Sequence, residues 1–171
     1  MPFFTAAAAP GTGPVRIAFD DEGEGKPIVL VHGFASNRTI NWKGPGWYTT
    51  LLQAGRRVIA LDCRGHGESD KPHAREAYDE GLMARDVTLL MDHLGVGTAD
   101  LMGYSMGGFI AMRLMKDAPQ RFAHVVLGGL GENYLSPVAA IPDRLAAALL
   151  ADDIATITDK TARQFRLFAD S

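Results

Sequence analysis

Four short apolar runs constrain this chain more than any other feature of its sequence. Ile28–Val31 and Val58–Leu61 are continuous apolar runs rich in Val, Leu and Ile, and Ala99–Gly103 and His124–Leu127 are two further short runs, each with one polar residue near its start. That pattern suits strands covered on both faces. Each run ends in a small or polar cluster: His32-Gly33, Asp62 with Arg64-Gly65-His66-Gly67, Ser105, and Gly128-Gly129. An earlier run, Val15–Phe19, also reads as a strand and leads into a turn-rich stretch from Asp20 to Pro27. Between the runs lie helical patterns. Met83, Val87, Leu90 and Leu94 recur at helical spacing with Glu80, Asp86 and Asp92 interleaved, an amphipathic helix. Gly107–Met115 forms a second helix that Pro119 stops. Strands buried on both faces and joined by crossover helices make an α/β fold, a mostly parallel sheet with helices on both faces.

The rhythm stops near Leu130. From Asn133 to Ser171 the apolar residues Leu145, Leu149, Ile154, Ile157, Phe165 and Phe168 follow helical spacing with no strand between them. Two parts are therefore expected: residues 1–131 as the core and residues 132–171 as a separate helical segment.

Composition narrows the function by exclusion. Seventeen basic residues face twenty acidic ones, for a net charge of −3. Such a balance carries no footprint for nucleic acid or an anionic membrane surface. Cys63 is the single cysteine, which excludes an internal disulfide framework and Cys-rich zinc sites. The N-terminus lacks the basic region of a secretory signal, and no apolar stretch approaches membrane-spanning length. A cytoplasmic location is expected. Asp62, His66 and His73 have no recognised metal-ligand spacing, and no Walker loop or complete G-x-G-x-x-G occurs. No cofactor is expected.

The chemistry lies at the strand ends. Gly103-Tyr104-Ser105-Met106-Gly107 fits G-x-S-x-G, with a strand before it and a helix after it. That context places a serine on a sharp turn at the top of a sheet, with small neighbours that let strand and helix approach. The helix N-terminus behind the serine favours developing negative charge. The loop after the first buried run, His32-Gly33-Phe34, brings the Phe34 amide toward the same place as the Met106 amide. Two such donors would stabilise an acyl-transfer oxyanion, an effect of about 2.7–4 kcal/mol per donor. His32 itself is expected to hold its loop in place. Cys63 reads as a small buried hydrophobe.

Three motifs in order, V-L-V-H-G-F (29–34), A-L-D-C-R-G-H-G-E-S-D (60–70) and G-Y-S-M-G-G (103–108), resemble the α/β-hydrolase superfamily. The likeness is to its esterase-, proline-iminopeptidase- and carbon–carbon-hydrolase-like members. The resemblance spans about residues 15–131. It implies a nucleophile at Ser105, an oxyanion hole from the Phe34 and Met106 amides, and the start of a helical cap after Leu130. Serine at the elbow argues against the epoxide-hydrolase and haloalkane-dehalogenase branches, whose nucleophile is aspartate.

In this fold the acid and then the histidine follow the serine in the chain. Of the five histidines only His124 follows Ser105. It starts a strand whose parallel neighbour ends in Ser105, which separates the two by about 13–20 Å at 3.3 Å per residue. His124 is therefore not the base. His32, His66 and His73 precede the serine, and His93 falls in a crossover helix. Glu132, just past the last strand, is the candidate acid; the more usual acid position follows a further strand.

The expectation is a hydrolase of small ester or acyl substrates whose C-terminal portion, with the base, lies outside this chain. The free edge at Val125–Leu127 would then pair with that remainder or with a second copy. The alternatives are a non-catalytic interaction module, or a carbon–carbon hydrolase or cofactor-free haloperoxidase.

Overall fold

A computed structural model describes residues 2–6, 13–131 and 147–169. Ten elements matter here: β1 (Phe3–Ala6), β2 (Val15–Glu22), β3 (Lys26–Val31), α1 (Trp47–Gln53), β4 (Arg56–Leu61), α2 (Glu80–His93), β5 (Ala99–Tyr104), α3 (Met106–Asp117), β6 (Phe122–Gly128) and α4 (Lys160–Ala169). One six-stranded sheet runs in the order β1-β2-β4-β3-β5-β6. The α/β class and the mostly parallel sheet are as the sequence implies. β3 pairs in parallel with β4 and β5, and β5 with β6.

Alternate side chains of the central strands divide the core in two. Val29, Val31, Ile59, Leu61 and Leu101 pack with Val87, Leu90 and Met91 of α2 and with Ile110 and Leu114 of α3. Ile28, Leu30, Val58 and Ala60 pack on the other face with Trp42 and with Tyr48 of α1. Helices thus cover both faces, and each fully buried large side chain contributes about 1.5–3 kcal/mol.

Three features go beyond the sequence reading. β1 arises from the Phe3–Ala6 stretch, which shows only two alternations; Phe4 enters the core and stacks on His93 at 5.9 Å. β2 runs three residues past its apolar run and lies antiparallel to β4. A bidentate Arg57–Asp21 pair at 2.7 Å supports that polar extension. Finally, a short helix at Thr39–Lys43 and α1 fill the connection from β3 to β4.

The chain divides into two compact units, Met1–Leu130 and Gly131–Ser171. In the second, Asp159 accepts from the Ala162 amide at 3.0 Å near the start of α4, and Asp153 caps the turn at Ile154–Thr156.

The topology sets where a site can form. From β3 the chain moves to β4 on one side, then crosses β3 to reach β5 on the other. The order reverses between β3 and β5, and at such a switch point the loops leaving the carboxyl ends diverge and open a crevice.

Candidate active site

Ser105 occupies that switch point. It links β5 to α3 with φ 51° and ψ −112°, a left-handed conformation that strains any residue with a Cβ. Contact on both sides holds it there. A Cβ on Gly103 would lie 2.2 Å from the Gly107 carbonyl oxygen, and one on Gly107 would lie 2.0 Å from that of Val31. Only glycine allows strand and helix to meet this closely. The Ser105 amide donates to the Gly128 carbonyl at 2.9 Å, while its hydroxyl does not cap α3. Met106 opens the helix, so its N–H is among those with no acceptor one turn back.

β3 supplies the facing loop. Val31 lies opposite Gly103 in the register, and a Cβ on Gly33 would sit 3.5 Å from the Ser105 Cβ. The Gly33 N–H donates to Asn41 Oδ1 at 2.9 Å. His32 is fully buried, with Nδ1 2.7 Å from the Gly33 carbonyl and Nε2 accepting from the Cys63 N–H at 2.9 Å. These partners fix the Nδ1–H tautomer. Burial lowers the His32 pKa to about 4, so the ring is neutral at pH 7 and holds its loop. Phe34 is half-buried, and Ala35 after it also has a positive φ of 52°.

A polar brace ties this loop to the one after β4. Buried Asp62 accepts from the Arg38 amide at 2.8 Å, from the Arg38 guanidinium, and from the Glu68 amide at 2.9 Å. Arg38 also meets Asp20 at 3.1 Å and Glu68 at 2.6 Å. Gly67 is glycine because a Cβ there would fall 2.1 Å from the Asp62 carboxylate. Asp62 is thus committed to structure. Cys63 is buried, and burial raises its thiol pKa, which keeps it out of the thiolate form. Sequence reading missed Arg38 and Asn41, because lone polar residues in a loop without periodicity carry no signal.

The remaining histidines lie elsewhere or are otherwise engaged. His66 packs edge-on against His32 and Phe34 at 5.2 and 5.7 Å, and its Nδ1 faces the Arg64 carbonyl. His73 is exposed, and His93 packs with Phe4 and Phe19. His124 sits at the opposite end of the sheet, 2.8 Å from Asp100. Among the described residues no histidine is hydrogen-bonded to the Ser105 hydroxyl, and no group of three or more His, Cys, Asp or Glu could hold a metal ion. Glu132 lies outside the described residues. No helix among the described residues is long and apolar enough to cross a membrane. The rim therefore gathers a serine on strained backbone, a helix N-terminus and a tightly held glycine loop.

Known proteins resemble this chain in sequence and in fold. The chain is 43% identical over 136 residues to the dihydrolipoyllysine-residue acetyltransferase component of the acetoin cleaving system of Pseudomonas putida, a match covering 75% of this chain and 35% of that one. It is 37% identical over 131 residues to a putative non-heme chloroperoxidase of Synechocystis, covering 74% and 44%. A thermophilic esterase from Thermogutta terrifontis superposes with a TM-score of 0.69 at 32% identity, covering 86% and 52%. The chain thus spans between about a third and a half of the length of these proteins. The sequence profile of the alpha/beta hydrolase fold matches residues 26–167, and the chain belongs to that family.

Proposed function

We propose that this chain carries the nucleophile half of a serine hydrolase acting on small esters or related acyl compounds. The observation that carries the reading is the strained Ser105 backbone, locked between Gly103 and Gly107 and facing the Gly33–Phe34 loop. Strain of this kind persists only where packing enforces it, and it holds the hydroxyl out at the rim. In this reading Ser105 Oγ attacks the substrate carbonyl carbon while its proton passes to a histidine supplied from outside this chain. The Phe34 and Met106 amides hold the oxyanion. Collapse of the intermediate expels the alcohol, protonated by the same histidine, and leaves an acyl-Ser105 that water then cleaves. Glu132 is our candidate for the acid that orients that histidine.

The same reading gives β6 a role. It closes one side of the sheet order, with Val126 and Leu127 exposed at 50% and 38%. An apolar edge of this kind pairs readily with another strand. We assign it to the C-terminal remainder of the protein or, failing that, to a second copy.

One experiment tests both points. The complete protein is treated with a fluorophosphonate probe, and its intact mass and solution mass are measured. We expect one adduct, on Ser105, absent in Ser105→Ala, and either a longer or second polypeptide or a dimer. A clean 18.4 kDa monomer would overturn the edge pairing. No adduct, even with co-purifying chains present, would favour a non-catalytic interaction module. The similarity to a putative non-heme chloroperoxidase supports a second reading with the same nucleophile. A panel of esters, vinylogous diketones, and peroxide with halide separates the esterase from the carbon–carbon hydrolase and the haloperoxidase.

A further inference from the structure

Tyr104, the residue before the nucleophile, has no part in that mechanism, yet main chain crowds it from two loops. The residue is 46% exposed. A Cβ on Gly33, in the loop after β3, would fall 3.3 Å from Tyr104 Cδ1. At the end of β6, a Cβ on Gly128 would fall 3.3 Å from Cδ2, and one on Gly129 just beyond it would fall 2.8 Å from Cε2. The two edges of one ring thus meet two different loops. Gly33 and Gly128 have no positive φ that would call for glycine; the ring makes both positions tight for a side chain. Both loops also bear on the nucleophile. Gly33 precedes Phe34, and the Gly128 carbonyl accepts the Ser105 amide.

We propose that Tyr104 is a positioning residue. Its ring, seated between Gly33 on one side and Gly128 and Gly129 on the other, sets the separation of the Phe34 loop from Ser105. The proposal rests on the serine-hydrolase reading and adds to it the element that spaces donor and nucleophile. The ring acts as a spacer; its hydroxyl makes no hydrogen bond among the described residues. Spacing matters because a displacement of about 1 Å between reacting groups lowers a rate by as much as ~100-fold.

The test reads geometry and chemistry separately. Amide resonances of Phe34 and Met106 are followed in the ¹⁵N-labelled chain, and the limiting rate of Ser105 labelling is measured in the complete protein at saturating fluorophosphonate. In Tyr104→Ala the Phe34 amide should shift. The limiting rate should fall about tenfold or more, while the half-saturating probe concentration changes less than about threefold. Tyr104→Phe should restore both. Gly129→Ala covers the case in which Tyr104→Ala does not fold. Its new methyl would press the ring toward Gly33, so the Phe34 amide should shift although the two residues are far apart in sequence. That shift should vanish in a Tyr104→Leu background. An unmoved Phe34 amide in Gly129→Ala, or an unchanged limiting rate in folded Tyr104→Ala, overturns the proposal. So does a Tyr104→Phe variant as impaired as Tyr104→Ala, which would assign the effect to the hydroxyl. A wild-type protein that takes up no probe removes the hydrolase reading instead, and the amide shifts still decide the role of the ring.

Discussion

The two rims of this sheet follow opposite rules. At the carboxyl ends of β3 and β5 the chain holds strained backbone at Ser105 and Ala35, glycines in near contact, and the first turn of α3. At the amino ends Asp100 is met by Arg56 at 2.6 Å, His124 at 2.8 Å and Lys26 at 3.1 Å. Burial works against the Asp100 charge, but hydrogen bonds from His124, Lys26 and Arg56 outweigh it and hold the pKa at about 2. One rim holds strained backbone and a helix N-terminus, and the other has spent its charges on itself. Strand direction causes the difference. Parallel strands turn into helix N-termini at their carboxyl ends only, so unsatisfied amides collect on that rim. It also explains why His124, the sole histidine after Ser105 in the sequence, is part of the framework.

The contrast can be broken first by crowding the carboxyl rim. Gly107→Ala drives a methyl to within 2.0 Å of the Val31 carbonyl oxygen. We expect a loss of about 3 kcal/mol or more, read as a lower denaturation midpoint together with loss of Ser105 labelling. A fall below about 1 kcal/mol would mean the elbow is looser than its geometry.

Acid should then separate the rims by their pH windows. The His32 pKa is lowered from 6.5 to about 4, so between those values the unfolded chain binds the proton and the folded chain does not. Stability from His32 is complete above about pH 6.5 and is lost as pH falls to about 4, an effect of about 3 kcal/mol. Asp100 is depressed instead. Its contribution is present above an unfolded value near 4 and is lost as pH falls through about 2. Denaturant titrations at stepped pH should show His32→Gln flattening the first window and Asp100→Asn the second. Exchange of those two effects would refute the assignment.

The smallest effect concerns the strain itself. Ser105→Gly relieves the positive φ, whereas Ser105→Ala keeps it. The glycine variant should be more stable than the alanine variant by about 1 kcal/mol. Equal stability would show that the strain is not held in the fold.

Much of this was legible in the order of residues. Ile28–Val31 and Val58–Leu61 read as buried strands because no polar residue interrupts them, and Gly103 and Gly107 announced the elbow because nothing larger fits there. β1 was not legible, since two alternations in Phe3–Ala6 do not rise above chance. Arg38 and Asn41 were equally silent, because a brace between two loops leaves no period in either.

By itself the sequence determined the α/β class, the serine on its turn, and the exclusion of His124, all consequences of local patterning and of the geometry of single elements. Tertiary structure decided the rest. It set β2 antiparallel to β4, reversed the strand order between β3 and β5, joined Asp62 to Arg38, and closed Gly33, Gly128 and Gly129 around Tyr104. Each of these is a contact between residues far apart in the chain. Such contacts are chosen by packing and by the need to pair buried polar groups, and only the folded chain expresses those forces.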